Sequence, residues 1–160
     1  MEPREKTCCF TGHRILPQSI RQPLSALLER EVGRLADAGC TGFLTGGALG
    51  FDTLAALTVL RLRETRPGIR LIVAAPYAAQ AEGWREKDAA LYEQIRSRAD
   101  EILCLSLSFT KDCLQNRNRF LVDRSSACIA FLRRRRSGTG STVAYALQEG
   151  IPVVNLAERL

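Results

Sequence analysis

The sequence predicts an α/β protein built on one doubly wound, mainly parallel β-sheet with helices on both faces. Short apolar runs typical of strands alternate with longer segments whose apolar residues recur at helical spacing. Such alternation is typical of parallel sheets joined by crossover helices. The run at residues 69–75 is almost continuously apolar, as expected for a strand covered on both faces. The chain of 160 residues is long enough for a substantial core, and we expect one domain over residues 1–160.

Six strands and five helices are predicted in strict alternation. The strands cover residues 7–11, 41–45, 69–75, 101–105, 127–132 and 152–156. The helices run from Leu24 to Gly39, from about Asp52 to before Pro67, over residues 81–99 and 113–125, and from Val143 to Gly150. Glycine and proline mark most of these boundaries because the first permits, and the second enforces, the end of a helix. No linker or internal repeat interrupts the alternation.

The charge of the chain is concentrated in one place. The net charge is +6, from 23 Lys and Arg against 17 Asp and Glu, and the four consecutive arginines at 133–136 supply much of it. This distribution favours a local anion site over a broad nucleic-acid-binding face. The chain has no apolar run that could span a bilayer, and its first six residues are polar. We therefore expect a cytoplasmic protein without a membrane partner.

The six cysteines show no pattern of a metal site. They include no C-x-x-C pair, and the chain has a single histidine, His13. Most of them lie in apolar runs that resemble strands, where a cysteine behaves as a small buried hydrophobe. The sequence therefore predicts reduced thiols, no metal site and no cofactor.

Small-residue turns follow three of the predicted strands. They are residues 12–14, which include Gly12, residues 45–52, and residues 137–142. Since the carboxyl ends of parallel strands meet at one edge of the sheet, these turns are expected to lie together where such folds bind ligands. The turn at 137–142 either cradles a phosphate at a helix start or is an ordinary N-cap, because Ser, Thr and Gly favour both.

The polar residues of these turns each have two interpretations. His13 and Arg14 either contact a phosphate or base or lie in a solvated loop, and a guanidinium suits phosphate geometry. Asp52 either accepts a hydrogen bond from a ribose hydroxyl or is a carboxylate favoured by the helix dipole. Thr45 ends its strand, and its hydroxyl fits a ligand-binding or a structural role.

Four motifs resemble those of the SLOG superfamily (the SMF/DprA and LOG group), and its small bacterial YpsA-like branch in particular. They are FTGHR at 10–14, TGGALGFD at 45–52, RNRFLVDRS at 117–125 and SGTGSTV at 137–143, and they span most of the chain. The resemblance implies a Rossmann-like domain, a nucleotide or nucleotide-derived ligand at the glycine-rich turns, and a homodimer.

The LOG branch of this superfamily hydrolyses the N-glycosidic bond of nucleoside monophosphates. Its signature is an arginine on the helix before the fifth strand, followed by a G-G-x-G-T-x-x-E loop. In this sequence the arginine falls on Arg117, the next position is Asn118, and Val143 stands where the glutamate is expected. Hydrolysis needs a carboxylate near the anomeric carbon, so Asp52 or Glu149 would have to replace it.

The sequence thus predicts a nucleotide-binding protein with a sensing or regulatory role. One alternative is a LOG-like nucleoside monophosphate phosphoribohydrolase that uses Arg117. Another is DprA-like binding of single-stranded DNA through the arginine run, although few aromatic residues are available for base stacking. The candidate ligand-binding residues are Gly12, His13, Arg14, Thr45, Gly46, Gly47, Gly50, Asp52, Arg117, Asn118, Ser137, Gly138, Thr139, Gly140, Ser141 and Thr142.

Overall fold

A computed structural model describes residues 1–160. Its strands are β1 (Thr7–Gly12), β2 (Gly42–Thr45), β3 (Arg70–Ala75), β4 (Glu101–Cys104), β5 (Ala127–Phe131) and β6 (Val153–Asn155). Its helices are α1 (Arg21–Asp37), α2 (Phe51–Arg63), α3 (Glu86–Arg98), α4 (Cys113–Asp123) and α5 (Gly138–Gln148). Short 3-10 helices cover Arg4–Lys6, Gln18–Ile20 and Leu156–Arg159. No helix is both long and apolar enough to cross a membrane.

The six strands form one parallel sheet in the order β4-β3-β2-β1-β5-β6. The chain starts in the middle, moves to one edge through β4, and then returns to the other side of β1 with β5. The strand order therefore switches between β1 and β5, and open sheets bind ligands outside the carboxyl ends of the strands at such a point. The predicted Rossmann-like α/β class is confirmed.

The sheet separates two apolar layers because successive side chains of a strand point to opposite faces. Cys8 and Phe10 of β1 pack with α1, α2 and α3, whereas Cys9 packs with α4 and α5. The first layer has 20 buried residues and the second has 11, so most of the core lies under α1 to α3. The predicted helices on both faces are confirmed.

Two helix starts differ by five residues from the sequence prediction. Helix α3 begins at Glu86 instead of Ala81, since Gly83 adopts φ +82° and the acidic residues Glu86 and Asp88 favour a start there. Helix α5 begins at Gly138 instead of Val143, because the Ser137 side chain caps it by accepting from the N–H of Gly140. The small-residue stretch after Ser137 is thus the first turn of the helix and not a loop.

Candidate anion-binding site at the switch point

A cavity of about 400 Å³ opens at the carboxyl ends of β1 and β5. Its walls come from the turn after β1, the starts of α2 and α5, and one side of α4. Three arginines and a single carboxylate line it, namely Arg14, Arg117, Arg134 and Asp52. The cavity is therefore positively charged and suits an anionic ligand.

Arg117 is the buried cation of this cavity, with an exposed fraction of 4%. Its Nη1 donates to the carbonyl oxygen of Gly46 at 2.6 Å and to that of Ala74 at 3.4 Å, and its Nε donates to Asn118 Oδ1 at 3.0 Å. Its Nη2 donates no hydrogen bond. Burial lowers the pKa of the guanidinium, and the nearby carboxylate of Asp52 opposes that shift. An anion in the cavity would provide the partner that Nη2 lacks.

Asp52 lies in the first turn of α2 and is buried, with 6% of its surface exposed. Its Oδ2 accepts from the N–H of Ala48 at 3.2 Å, and its Oδ1 accepts no hydrogen bond. Burial raises the pKa of Asp52 to about 6, although Arg117 acts in the opposite direction. A buried carboxylate with a raised pKa beside a cavity is a functional-site candidate, either as a hydroxyl acceptor or as an acid or base.

The start of α5 presents unused donors to the same cavity. Ser137 satisfies two N–H groups, because its backbone oxygen accepts from Ser141 and its Oγ accepts from Gly140 at 3.0 Å. The N–H groups of Gly138 and Thr139 donate no hydrogen bond, nor does the Thr139 hydroxyl. These groups lie at the positive end of the helix dipole, where phosphates bind in many α/β proteins.

His13 is buried, in contrast to the solvated-loop interpretation. Its Nε2 accepts from the N–H groups of Arg133 at 2.9 Å and Arg134 at 3.2 Å, and its ring meets Phe131 edge to face. Burial lowers the pKa of His13, and the guanidinium groups of Arg134 and Arg133 lower it further. His13 therefore acts as a neutral acceptor that fixes the backbone of the loop after β5.

Two more side chains hold this loop, which covers residues 132–137. Asn155 of β6 pairs with the backbone of Leu132, accepting its N–H at 2.9 Å and donating to its oxygen at 3.0 Å. Ser137 Oγ donates to the oxygen of Arg134 at 2.6 Å. Three side chains thus hold the backbone of the loop, and Arg134 reaches the cavity from this fixed backbone.

The turn after β2 supports the cavity from behind, and four of its predicted ligand-binding residues do not line it. Thr45 is fully buried, and its Oγ1 accepts from the N–H of Gly47 at 3.3 Å. Gly46 and Gly47 are buried as well, and Gly50 faces a separate, smaller pocket. The structure therefore brings Asp52 and Ala48 of this turn to the cavity, but not Thr45, Gly46, Gly47 or Gly50.

The remaining predicted residues divide between the cavity and its surroundings. Gly12, Asn118, Ser137, Gly138 and Thr139 line the cavity, together with His13, Arg14, Asp52 and Arg117. Gly140 packs against the loop instead, since a Cβ there would lie 1.9 Å from the oxygen of Arg135. Ser141 and Thr142 line a second cavity on the other side of Gly138.

Sequence reasoning did not single out Arg134, Leu114 and Ile15, which also line the cavity. Arg134 was visible only as part of a run in which its neighbour Arg133 turns away and stacks on the ring of Phe131, 5.2 Å from its centroid. Ile15 is 83% exposed at the cavity mouth, and no periodic pattern marks it. Their roles follow from where the loops run, which the sequence pattern does not encode.

The three positions that bear on hydrolysis, Val143, Glu149 and Asp52, lie in different parts of the structure. Val143 packs in the apolar layer under α4 and α5 and does not reach the cavity. Glu149 follows the last residue of α5, about 16 Å along the helix from its start. Asp52 is the single carboxylate that lines the cavity.

The parallel sheet and the cationic cavity at its switch point define a Rossmann-like α/β protein with a candidate anion-binding site. The model of the YspA SLOG family (YpsA) matches residues 17–150, and the chain belongs to this family. It is also similar to the uncharacterized SPbeta prophage-derived protein YoqJ of Bacillus subtilis, with 31% identity over 116 residues. That match covers 65% of this chain and 68% of YoqJ.

Two solved structures of DNA processing protein A share the fold. The Streptococcus pneumoniae protein superposes with a TM-score of 0.68 and 18% identity over 93% of this chain. The Helicobacter pylori protein, described for its binding of single-stranded DNA, superposes with a TM-score of 0.64 and 22% identity over 94% of this chain. This chain spans 49% and 64% of those two proteins, respectively.

Proposed function

We propose that this protein binds a nucleotide or a nucleotide-derived ligand by its phosphate in the cavity at the switch point, as a sensing or regulatory module. The observation that carries the proposal is the convergence of unused donors on one cavity. Arg117 Nη2 and the N–H groups of Gly138 and Thr139 have no protein partner there. Three such donors in the walls of one cavity suit the oxygens of a phosphate.

Asp52 provides the second half of the recognition. Its free Oδ1 would accept a hydrogen bond from a ribose hydroxyl, which a phosphate alone does not offer. The carboxylate also repels an anion, so it favours a ligand that has both a phosphate and a hydroxyl group over inorganic phosphate. A nucleoside monophosphate has both groups.

The test compares AMP, adenosine and inorganic phosphate by calorimetric titration. We expect AMP to bind at least about tenfold more tightly than adenosine, since only AMP engages the phosphate donors. Gly138→Asp places a carboxylate in open space at the helix start, where it repels the phosphate without steric strain. AMP binding should then be lost while the midpoint of thermal unfolding stays the same or rises.

Gly68→Asp is the matched control, because its Cβ also meets no atom within 4 Å and it lies in the turn before β3. This variant changes the net charge equally but should bind AMP as the wild type does. Equal affinities of the wild type for AMP and adenosine, or an unchanged Kd in Gly138→Asp, would contradict the proposal.

A second candidate function is hydrolysis of the N-glycosidic bond, favoured by the raised pKa of Asp52 beside the cavity. Asp52 would take a proton from the attacking water as its oxygen bonds to the anomeric carbon and the bond from that carbon to adenine breaks, and Asp52 would then return the proton to the departing adenine. Incubation with AMP and detection of free adenine tests this function. If Asp52→Asn still releases adenine, Asp52 is excluded as the general base of the reaction.

A further inference from the structure

A second cavity of about 570 Å³ lies between α4 and α5 and opens beside the first. The two cavities share Leu114, Asn118 and Gly138 in their walls. Together they form a path that starts at the switch point and continues along the groove between the two helices. A ligand held by its phosphate at the start of α5 would have room to continue into this groove.

Gly138 lies at the junction of the two cavities. A Cβ added there would meet no heavy atom within 4 Å, so the space beside the backbone is open. The glycine does not adopt a positive φ, and no close contact in the protein requires it. The missing side chain therefore keeps the passage between the cavities clear.

The groove is positively charged. Lys111 and Arg119 line it, neither forms an ion pair, and no carboxylate lines it. Asp123, the acidic residue nearest to Arg119 on α4, is engaged by the hydroxyl of Tyr145 at 2.6 Å. Arg119 itself lies over the Tyr145 ring, 5.1 Å from its centroid. The groove has two cations without an acidic partner and therefore suits an anionic group.

One face of α5 forms the far wall of the groove. Gly138, Ser141, Tyr145 and Gln148 follow each other at helical spacing, and the first and third are about 10 Å apart along the axis. The side chains of Ser141 and Gln148 make no hydrogen bond, nor does that of Gln115 opposite them on α4. Donors and acceptors thus continue beyond the two cations.

We propose that the ligand of this protein is a nucleotide extended by a second phosphate group, which lies in the groove between α4 and α5 and is held by Lys111 and Arg119. The inference rests on the proposed function, since the first phosphate occupies the cavity at the switch point. It narrows the ligand from any nucleotide to nucleoside diphosphates and their pyrophosphate-linked derivatives.

The experiment measures the Kd of AMP, ADP and ADP-ribose for the wild type and for the double variant Lys111→Ala, Arg119→Ala. The wild type should bind ADP or ADP-ribose at least about tenfold more tightly than AMP, as expected for a charge-assisted contact. The double variant should reduce this ratio to below about twofold. Lys87→Ala with Arg30→Ala removes two exposed charges on other helices, and this control should keep the wild-type ratio.

Each outcome separates the inference from the proposed function. If AMP binds and neither extended ligand binds more tightly, the inference is overturned and the proposed function stands. The inference is also wrong if the double variant keeps the wild-type ratio. If none of the three nucleotides binds, both fail. Tight binding of a single-stranded oligonucleotide in that case would assign the groove to a nucleic-acid interface.

Discussion

Two glycine-rich segments of this protein look alike in the sequence and have opposite environments in the structure. At the turn after β2, a Cβ on Gly46 would lie 2.5 Å from the guanidinium of Arg117, and a Cβ on Gly50 would lie 2.2 Å from the oxygen of Arg14. At the start of α5, a Cβ on Gly138 would meet nothing within 4 Å. The first segment is packed by the protein itself, whereas the second leaves open space at Gly138, although its Gly140 packs against Arg135.

The difference shows what a glycine in such a turn indicates. The absence of a side chain permits a close approach, but the approaching group can be another part of the protein or a ligand. Around Gly46 it is the buried arginine of the cavity, so Gly46 supports Arg117 and does not itself line the cavity. Substitutions in the two segments should therefore affect different properties.

Gly50→Ala should have the largest effect on stability. Gly50 has φ +76°, and its Cβ would collide with the backbone of His13 and Arg14, where the His13 oxygen accepts from the N–H of Phe51. We expect a loss of about 4 kcal/mol in the free energy of unfolding, measured by chemical denaturation. Gly39→Ala is the control, since Gly39 also has a positive φ but nothing within 4 Å, and should cost only about 1 kcal/mol. Equal losses in the two variants would show that the close packing contributes nothing.

Asp52→Asn tests the residue that connects the two regions. Burial raises the pKa of Asp52 from 3.8 to about 6. Between these pH values the folded protein binds one more proton than the unfolded chain, and above them the ionised carboxylate lowers the free energy of unfolding. At pH 8 the variant should be more stable than the wild type by roughly 2 to 3 kcal/mol. This gain should shrink below pH 6 and vanish near pH 4.

The control for this prediction is Asp37→Asn. Asp37 lies at the exposed end of α1, so its replacement should give no comparable gain in stability that depends on pH. A stability difference between Asp52→Asn and the wild type that stays constant from pH 4 to pH 8 would contradict the assignment of a raised pKa.

Gly46→Ala and Gly138→Ala compare the two segments directly. At position 46 the Cβ displaces the end of Arg117, so we expect a loss of about 2 kcal/mol in stability and of at least about tenfold in AMP affinity. At position 138 the stability should change by less than about 0.5 kcal/mol, while AMP affinity still falls. Calorimetry and denaturation on the same samples measure both. A strong loss of stability in Gly138→Ala would remove the distinction.

The fold was largely predictable, because hydrophobic periodicity and the glycines and prolines between elements are local signals. The predicted start of α5 was wrong by five residues. Glycine has a low helix propensity, but the Ser137 cap outweighs it and the helix begins at Gly138. The pairing of β1 with β5 joins residues more than 100 positions apart, and no local pattern encodes it.

The candidate site was predictable in part for the same reason. Asp52, Arg117 and Gly138 belong to motifs and line the cavity. The supporting role of Gly46 depends on the side chain that lies against it, and that side chain comes from a helix 71 residues away. The glycines in the sequence therefore indicated where another group lies close to the backbone, and only the structure showed that at Gly46 this group is the Arg117 side chain.

Protonation of His13 should have the smallest of these effects on stability. It tests the loop that carries Arg134, which His13 holds in place. Burial and Arg134 lower the pKa of His13 below 6.5, so on acidification the unfolded chain takes up the proton before the folded protein does. The stabilisation that is complete above pH 6.5 is therefore lost as the pH falls. Protonation also removes the acceptor for two backbone N–H groups. We expect a loss of about 1 kcal/mol by pH 5.

The measurement belongs in the Asp52→Asn background, because Asp52 stabilises the folded protein over the same pH range with the opposite sign. His13→Gln keeps an acceptor that does not titrate, and His13 is the single histidine, so this variant should abolish the loss between pH 7 and pH 5. The AMP affinity of the parent should fall over that range more than that of His13→Gln, since release of the loop moves Arg134. If the stability of both proteins depends on pH in the same way, the acid sensitivity comes from other groups and the His13 imidazole does not stabilise the loop.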